Sequence, residues 1–295
     1  MLIRILVPVY YFLMLSLPAV VAGLPFVVAD GTAFRLCAIA AAPILYLLAF
    51  LVCCGLLSWP HRWAIQNGRF QRSLDDRVYG RRRLHALCWT AIYYSPFYPF
   101  YLAFPTWKRI LFRLFGYRGS LEFTAYPDTW IRDLPVLQIG RGAYLSNKST
   151  IGTNLALQDG RILVDGITIG EGAMVGHLTM VAAGTTLGDG AEVSHGTACG
   201  VRVTLGKGAA VNPDCCIDHH ADIGEEADVG TRSYVGLGAR IGSKIKLPPG
   251  SNIPRRAKLV NQADVECYLS SETKDLHFLR AELARRIQQD THTAE

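Results

Sequence analysis

Hydrophobic positions follow three rhythms along this chain. Ile5 to Ala29 and Leu36 to Trp59 are two runs without a charged residue, separated by a short turn at Asp30, Gly31 and Arg35. Each exceeds the roughly 20 residues a helix needs to cross a hydrocarbon core, so residues 1–60 read as a two-helix transmembrane anchor. A signal peptide with Arg4 as its basic start and cleavage after Val20-Val21-Ala22 is the alternative for the first run. The length of that run and the second run directly behind it weigh against this reading.

The second rhythm has a period of six. Stepping by six from Ile139 gives Leu145, Ile151, Leu157, Leu163, Ile169, Val175 and so on to Ile253, with Cys199 the one non-aliphatic in twenty steps. Eleven of the twenty following positions are Gly, and the position four after the aliphatic is usually Ala, Ser or Thr. A chain that turns a corner every six residues needs one inward aliphatic per side. It also needs small residues at the corner and a backbone that tolerates unusual φ/ψ. Three such sides make a triangular coil of about 18 residues, and coils stack at strand spacing, about 4.8 Å. The expected fold is all-β: an uninterrupted left-handed parallel β-helix of hexapeptide repeats over residues 137–258, with about six and two-thirds coils from Ile139 to Ile253. Pro248-Pro249-Gly250 and Pro254 end the repeat. The third rhythm, with Val265, Leu269, Leu276, Leu279, Leu283 and Ile287 near helical spacing, predicts an amphipathic helix in the tail, residues 259–295.

Charge changes the picture in one segment. Between Arg62 and Arg118 eleven Lys/Arg face two acids, Asp75 and Asp76. This bias places everything after Trp59 on the cytoplasmic side and draws residues 61–136 to anionic headgroups. Within it, Leu84 to Pro105 holds eight aromatics and three prolines. Crossing the membrane would strand Arg81-Arg82-Arg83 or Lys108-Arg109 on the wrong side, so the segment is expected to lie in the interface. Nucleic acid is the weaker reading of these charges, because they flank apolar runs. The eight cysteines show no CxxC pair or metal-ligand spacing, and read as reduced core thiols of a cytoplasmic domain.

The pattern aliphatic-Gly-x-x-small-x over 139–258 resembles the hexapeptide-repeat acyltransferases. The resemblance implies an acyl-CoA-dependent enzyme, acetyl-CoA first among donors, working as a homotrimer with its site between adjacent prisms and needing no metal. Ser95-Pro96-Phe97-Tyr98-Pro99-Phe100-Tyr101-Leu102, Arg113-Leu114-Phe115-Gly116 and Leu137-Gln138-Ile139-Gly140 look like the membrane-associated terminal regions of some non-ribosomal peptide synthetases and polylysine synthetases. A multi-pass protein of a bacterial cytoplasmic membrane is implied, acting on an amine or hydroxyl of a cell-envelope, glycan, lipid-linked or peptide acceptor.

Acyl transfer needs a base for the acceptor's proton and a donor for the oxyanion, and histidine is the natural base near neutrality. His177, His195 and His219 each stand two positions after an inward aliphatic, at corners. The first two stack on one edge, and His219 sits on the next, one coil higher. Ile217-Asp218-His219-His220-Ala221-Asp222-Ile223-Gly224 is similar to the motif that carries the base in hexapeptide sugar acetyltransferases, with Asp218 or Asp222 left to orient the ring. His195 is the second choice, and Asn212 is a candidate oxyanion donor. Lys244, Lys246, Arg255, Arg256 and Lys258, around the last coils, are candidates for the coenzyme phosphates or for a rim facing headgroups. A γ-type carbonic anhydrase shares this prism, but the pairs 177/195 and 219/220 do not give its three-histidine zinc site. A nucleotidyltransferase lacks room for a nucleotide domain ahead of the repeat. A non-catalytic trimeric scaffold remains the alternative, favoured by the absence of any loop inserted into the prism.

Overall fold

The computed structural model describes residues 2–266 and 268. Helices α1 (Leu2–Val28) and α2 (Thr32–Ser58) pack side by side, joined at Gly31 with φ +89°. At about 1.5 Å per residue each is roughly 40 Å long. Both are long and apolar enough to cross a membrane, and only 22% of the most apolar window of each is buried. Phe12, Val20, Phe34 and Ile44 stand exposed on their outer surfaces.

A 3₁₀ turn, Trp59–Ala64, leads to β1 (Gly68–Gln71) and then to α3 (Arg77–Tyr93), α4 (Tyr98–Ala103) and α5 (Pro105–Leu114). Helix α3 starts where the Asp76 carboxylate accepts from the Tyr79 N–H at 2.7 Å. The segment Leu84–Pro105, expected to lie in the membrane interface, turns part of its aromatics into the protein and leaves Tyr94, Phe100 and Phe104 exposed. Trp89 is 1% exposed, and Tyr98, Tyr101, Phe112 and Phe115 are fully buried. The open end of a parallel coil presents apolar interior and unpaired strand edges. These aromatics fill that end, and their polar tips take up its backbone groups. Trp89 Nε1 donates to the Ile131 carbonyl at 2.7 Å. The Tyr117 hydroxyl lies 3.1 Å from both the N–H and the carbonyl of Ile139. Lys108 Nζ donates to the carbonyls of Leu121 and Phe123.

The parallel β-helix follows. Each of its three faces holds seven parallel strands. The first face begins with β2 (Thr124–Ala125), the second with β3 (Trp130–Ile131) and the third with β4 (Leu137–Ile139). The second coil continues with β5 (Tyr144–Leu145) and β6 (Thr150–Gly152). From Val175 upward the register is that of the hexads, with Val175 opposite Val193, Val181 opposite Cys199 and Leu187 opposite Leu205. Below it the coil departs from expectation twice. The first coil starts at Thr124, ahead of Ile139, and the last strand ends at Leu259, so seven coils form. Ile151 also pairs with Val181, and Ile139 with Ile169, across 30 residues. The extra chain is a hairpin, β7 (Asn154–Ala156) and β8 (Arg161–Val164), and β1 pairs antiparallel with β8 to make a small three-stranded sheet. The prism is therefore interrupted. Leu157 and Leu163 keep the period only because the insertion is two hexads long, and the argument for a scaffold from an uninserted prism falls with it.

The corner chemistry also differs from expectation. The Gly after each aliphatic does not have positive φ. The left-handed positions lie two residues later, among them Leu178, Arg202, Asp214, His220 and Lys244, with Gly172, Gly190 and Gly208. The earlier Gly is required by approach between coils: a Cβ on Gly188 would meet Lys207 N at 2.6 Å, and one on Gly206 would meet Glu225 N at 2.5 Å. The small polar residues at the corners are buried and bonded. Thr179, Thr185 and Thr197 donate to the carbonyls of Ser194, Gly200 and Asn212 at 2.9–3.1 Å.

The seven described cysteines are free, but Cys37 and Cys216 are exposed, so the reading of every cysteine as a core thiol is corrected for these two. The tail begins as helix over 262–266, with Val265 buried on the last coil. The rest of the expected helix lies outside the described residues.

Candidate functional site

Position in the hexad decides where each candidate side chain goes. His177 and His195 stand at the corner between the first and second faces, one coil apart, as expected from their phase. His219 stands at the corner between the second and third faces, above Val201. All three are exposed, and His220 beside His219 takes the left-handed corner conformation at φ 59°. The four histidines therefore serve two edges and do not converge within one chain.

His219 has the more elaborate surroundings. Asp218 Oδ1 accepts from the His219 backbone N–H at 2.6 Å and lies 4.0 Å from His219 Nε2. The Tyr234 hydroxyl donates to Asp218 Oδ2 at 3.0 Å, which steadies the carboxylate from the coil above. That bond pushes the Tyr234 phenol above its ordinary range. Tyr234 carries no sequence signal of its own. It occupies the outward strand position one coil above Cys216, and only the stacking register shows that it reaches Asp218. Asp222, the other acid considered, points outward from the third face, in register with Thr204 and Arg240. The Cys216 thiol is pushed up by partial desolvation and by the Asp218 carboxylate.

His219 Nδ1 accepts a hydrogen bond from the Val201 backbone N–H at 2.8 Å. A ring nitrogen that accepts carries no proton, so the neutral ring is protonated at Nε2 and no lone pair faces outward. His219 can take an acceptor's proton only after leaving Val201. The loss of one such bond is about 1 kcal/mol, and the side chain is 49% exposed and free to turn. The rings of His177 and His195 make no hydrogen bond among the described residues. Asn212 does not serve as an oxyanion donor in this arrangement, because Nδ2 already donates to Asp228 Oδ1 at 2.6 Å and to the Val229 carbonyl at 3.0 Å.

The cations of the last coils divide into two groups. Arg255, Arg256 and Lys258 lie at the corner of His219 and on the adjoining third face, two coils above it, about 10 Å along the axis. Lys244 lies at the corner between the third and first faces, and Lys246 on the adjoining first face. Lys244 is 3.8 Å from Glu226, and the Lys246 backbone exchanges two hydrogen bonds with the Gln262 amide. No group of metal-ligating side chains occurs among the described residues.

No family model matches this sequence, and no curated protein matches it. Solved structures align with part of it at low identity and low TM-score. One is a perosamine N-acetyltransferase from Caulobacter crescentus, solved with CoA and GDP-perosamine. It is 18% identical, with a TM-score of 0.27, over 52% of this chain and 58% of that one. Another is the acetyltransferase domain of PglB from Neisseria gonorrhoeae with acetyl coenzyme A, at 15% identity and TM-score 0.23 over 47% and 62%. A third is AntD, an N-acyltransferase from Bacillus cereus with dTDP and coenzyme A, at 13% identity and TM-score 0.28 over 51% and 87%. This chain spans little more than half the length of the first of them.

Proposed function

We propose that this protein is a membrane-anchored acyltransferase. It would move an acyl group, acetyl first among candidates, from coenzyme A to an amine or hydroxyl of a cell-envelope, glycan, lipid-linked or peptide acceptor. One observation carries the reading: a single edge of the prism holds an imidazole with a carboxylate beside it and a cationic cluster about 10 Å above it. A thioester donor with a diphosphate at one end would place its phosphates on Arg255, Arg256 and Lys258 and direct its acyl group toward His219. His219 would accept the acceptor's proton as the new bond forms, and the protonated ring would face Asp218. His195 is the second candidate base, on the edge that a neighbouring prism of a homotrimer would bring to the same cleft.

The anchor gives the reaction its place. Arg62 stacks on Trp59 at 3.4 Å, and Arg81 and Arg77 lie over Trp63. Tryptophan and arginine at the end of an apolar helix form a belt at the headgroup level. The excess of positive charge just beyond it favours a cytoplasmic side for the prism. A non-catalytic scaffold stays in view for one specific reason, the Val201 N–H that occupies His219 Nδ1.

Calorimetry with acetyl-, succinyl- and longer acyl-CoA on the full chain in neutral detergent separates the two. The enzyme reading expects saturable binding that Arg255→Gln and Arg256→Gln each weaken about tenfold, the worth of a charged hydrogen bond. No binding of any donor by the folded chain would leave the scaffold.

A further inference from the structure

Where the prism meets the membrane-side helices, a pocket of about 320 Å³ is lined by Arg72, Arg82, Arg83 and Arg132 with Tyr79 and Asn154. Four guanidinium groups here face one carboxylate. Asp133 Oδ2 is already taken by Arg82 Nη2, Thr153 Oγ1 at 2.7 Å and Asn154 Nδ2 at 3.1 Å. Burial alone would raise the Asp133 carboxyl, but Arg82 and Arg132 outweigh it and hold the group ionised. Arg72 and Arg83 have no ion-pair partner among the described residues. Arg82 is 2% exposed and its Nε has no hydrogen-bond partner, while Arg132 Nε makes no hydrogen bond but lies 3.8 Å from Asp133 Oδ1. A buried charged donor left without an acceptor costs a few kcal/mol, so this arrangement calls for a ligand.

Apart from Arg132, which follows β3, the walls of the pocket are parts of the chain that the repeat does not need. The end of β1 brings Arg72, the first turns of α3 bring Arg82 and Arg83, and the inserted hairpin brings Asn154 and Ile162. A volume of about ten waters admits a group with several oxygens. A net excess of three positive charges favours one with two or more negative charges. Planar forks of N–H donors suit phosphate oxygens. The pocket lies in the first coil, about 19 Å along the axis from His219, and does not depend on the acyl-transfer reading.

We propose that this pocket binds a phosphate or pyrophosphate group. The test uses the full chain in neutral detergent, with inorganic pyrophosphate as the probe and total phosphorus measured on the purified protein. Arg72→Gln and Arg83→Gln remove exposed side chains and leave the buried pair intact, and Arg240→Gln at the far end is the control. The expected result is saturable pyrophosphate binding, or co-purifying phosphorus, that each pocket substitution weakens about tenfold and the control does not. Bilayers then separate the sources. If phosphatidic acid, but not a zwitterionic lipid, blocks pyrophosphate, the phosphate belongs to a lipid headgroup; equal binding in both bilayers assigns it to a soluble ligand. Absence of both pyrophosphate binding and bound phosphorus overturns the proposal, as does binding that survives the double substitution.

Discussion

The Val201 backbone N–H donates to His219 Nδ1 at 2.8 Å, from one coil to the corner of the next. The contact lets a half-exposed ring close a backbone gap at the corner while it faces Asp218. It also makes a definite statement about where the proton sits. In the resting protein, nitrogen NMR of the neutral ring should show Nε2 protonated and Nδ1 bare. A ring protonated at Nδ1 would mean that the Val201 contact is absent in solution.

The helical cap predicts a pH dependence of stability. His85 is fully buried, with its ring edge-on to Phe115 and Nε2 3.3 Å from the Phe115 carbonyl. Burial pushes its pKa down to about 4, against about 6.5 in the unfolded chain. The unfolded chain therefore binds more protons between these values, and stability is lost as pH falls from about 6.5 to about 4, by up to roughly 3 kcal/mol. Thermal unfolding at a series of pH values should show this loss, and His85→Phe should flatten it. An unchanged slope in the variant would place the titration elsewhere.

Two glycines two residues apart should respond differently to Ala. A Cβ on Gly188 would run into the backbone of the next coil, with Gly206 C at 2.7 Å, whereas one on Gly190 would meet nothing within 4 Å. Gly190→Ala carries only left-handed backbone strain, since its φ is +65°, about 1–2 kcal/mol. Gly188→Ala forces two coils apart and should cost about 3 kcal/mol or more. Denaturation midpoints in the opposite order would contradict this account of the repeat.

The insertion makes a further structural prediction. Deleting residues 153–164 leaves Ile151-Gly152 followed by Asp165-Gly166-Ile167-Thr168-Ile169, one hexad in phase. The prism should still fold, as judged by its strand signature in circular dichroism. It should be less stable, because Thr153 and Asn154 no longer bond Asp133. Collapse of the strand signal would show that the hairpin is required for the coil to form.

That deletion also shows why the sequence was legible only in part. Val175 to Ile253 could be read from period alone, because each inward aliphatic answers to one physical demand. Leu157 and Leu163 met the same arithmetic inside a hairpin, where spacing carries no information about pairing partners. Ala125 and Ile131 belong to the prism but precede the regular phase, since an extra turn at Asp133 shifts them. The corner placement of His177, His195 and His219 followed from phase. The Tyr234–Asp218 bond did not, because contact between coils depends on side-chain reach. Composition did not separate the aromatics that pack on the first coil, Trp89, Tyr98 and Tyr101, from Tyr94, Phe100 and Phe104, which stay exposed.

The most direct test of the central claim is transfer itself. Acetyl-CoA and a simple amine acceptor are given to the full chain in bilayers, and free coenzyme A and acylated amine are counted together. The acyltransferase account predicts matched release of the two products, lost in His219→Ala while acetyl-CoA binding is kept. Transfer that survives His219→Ala and fails in His195→Ala would move the base to the other edge. Binding without any transfer by the unaltered protein, across acyl donors and amine or hydroxyl acceptors, would contradict the account.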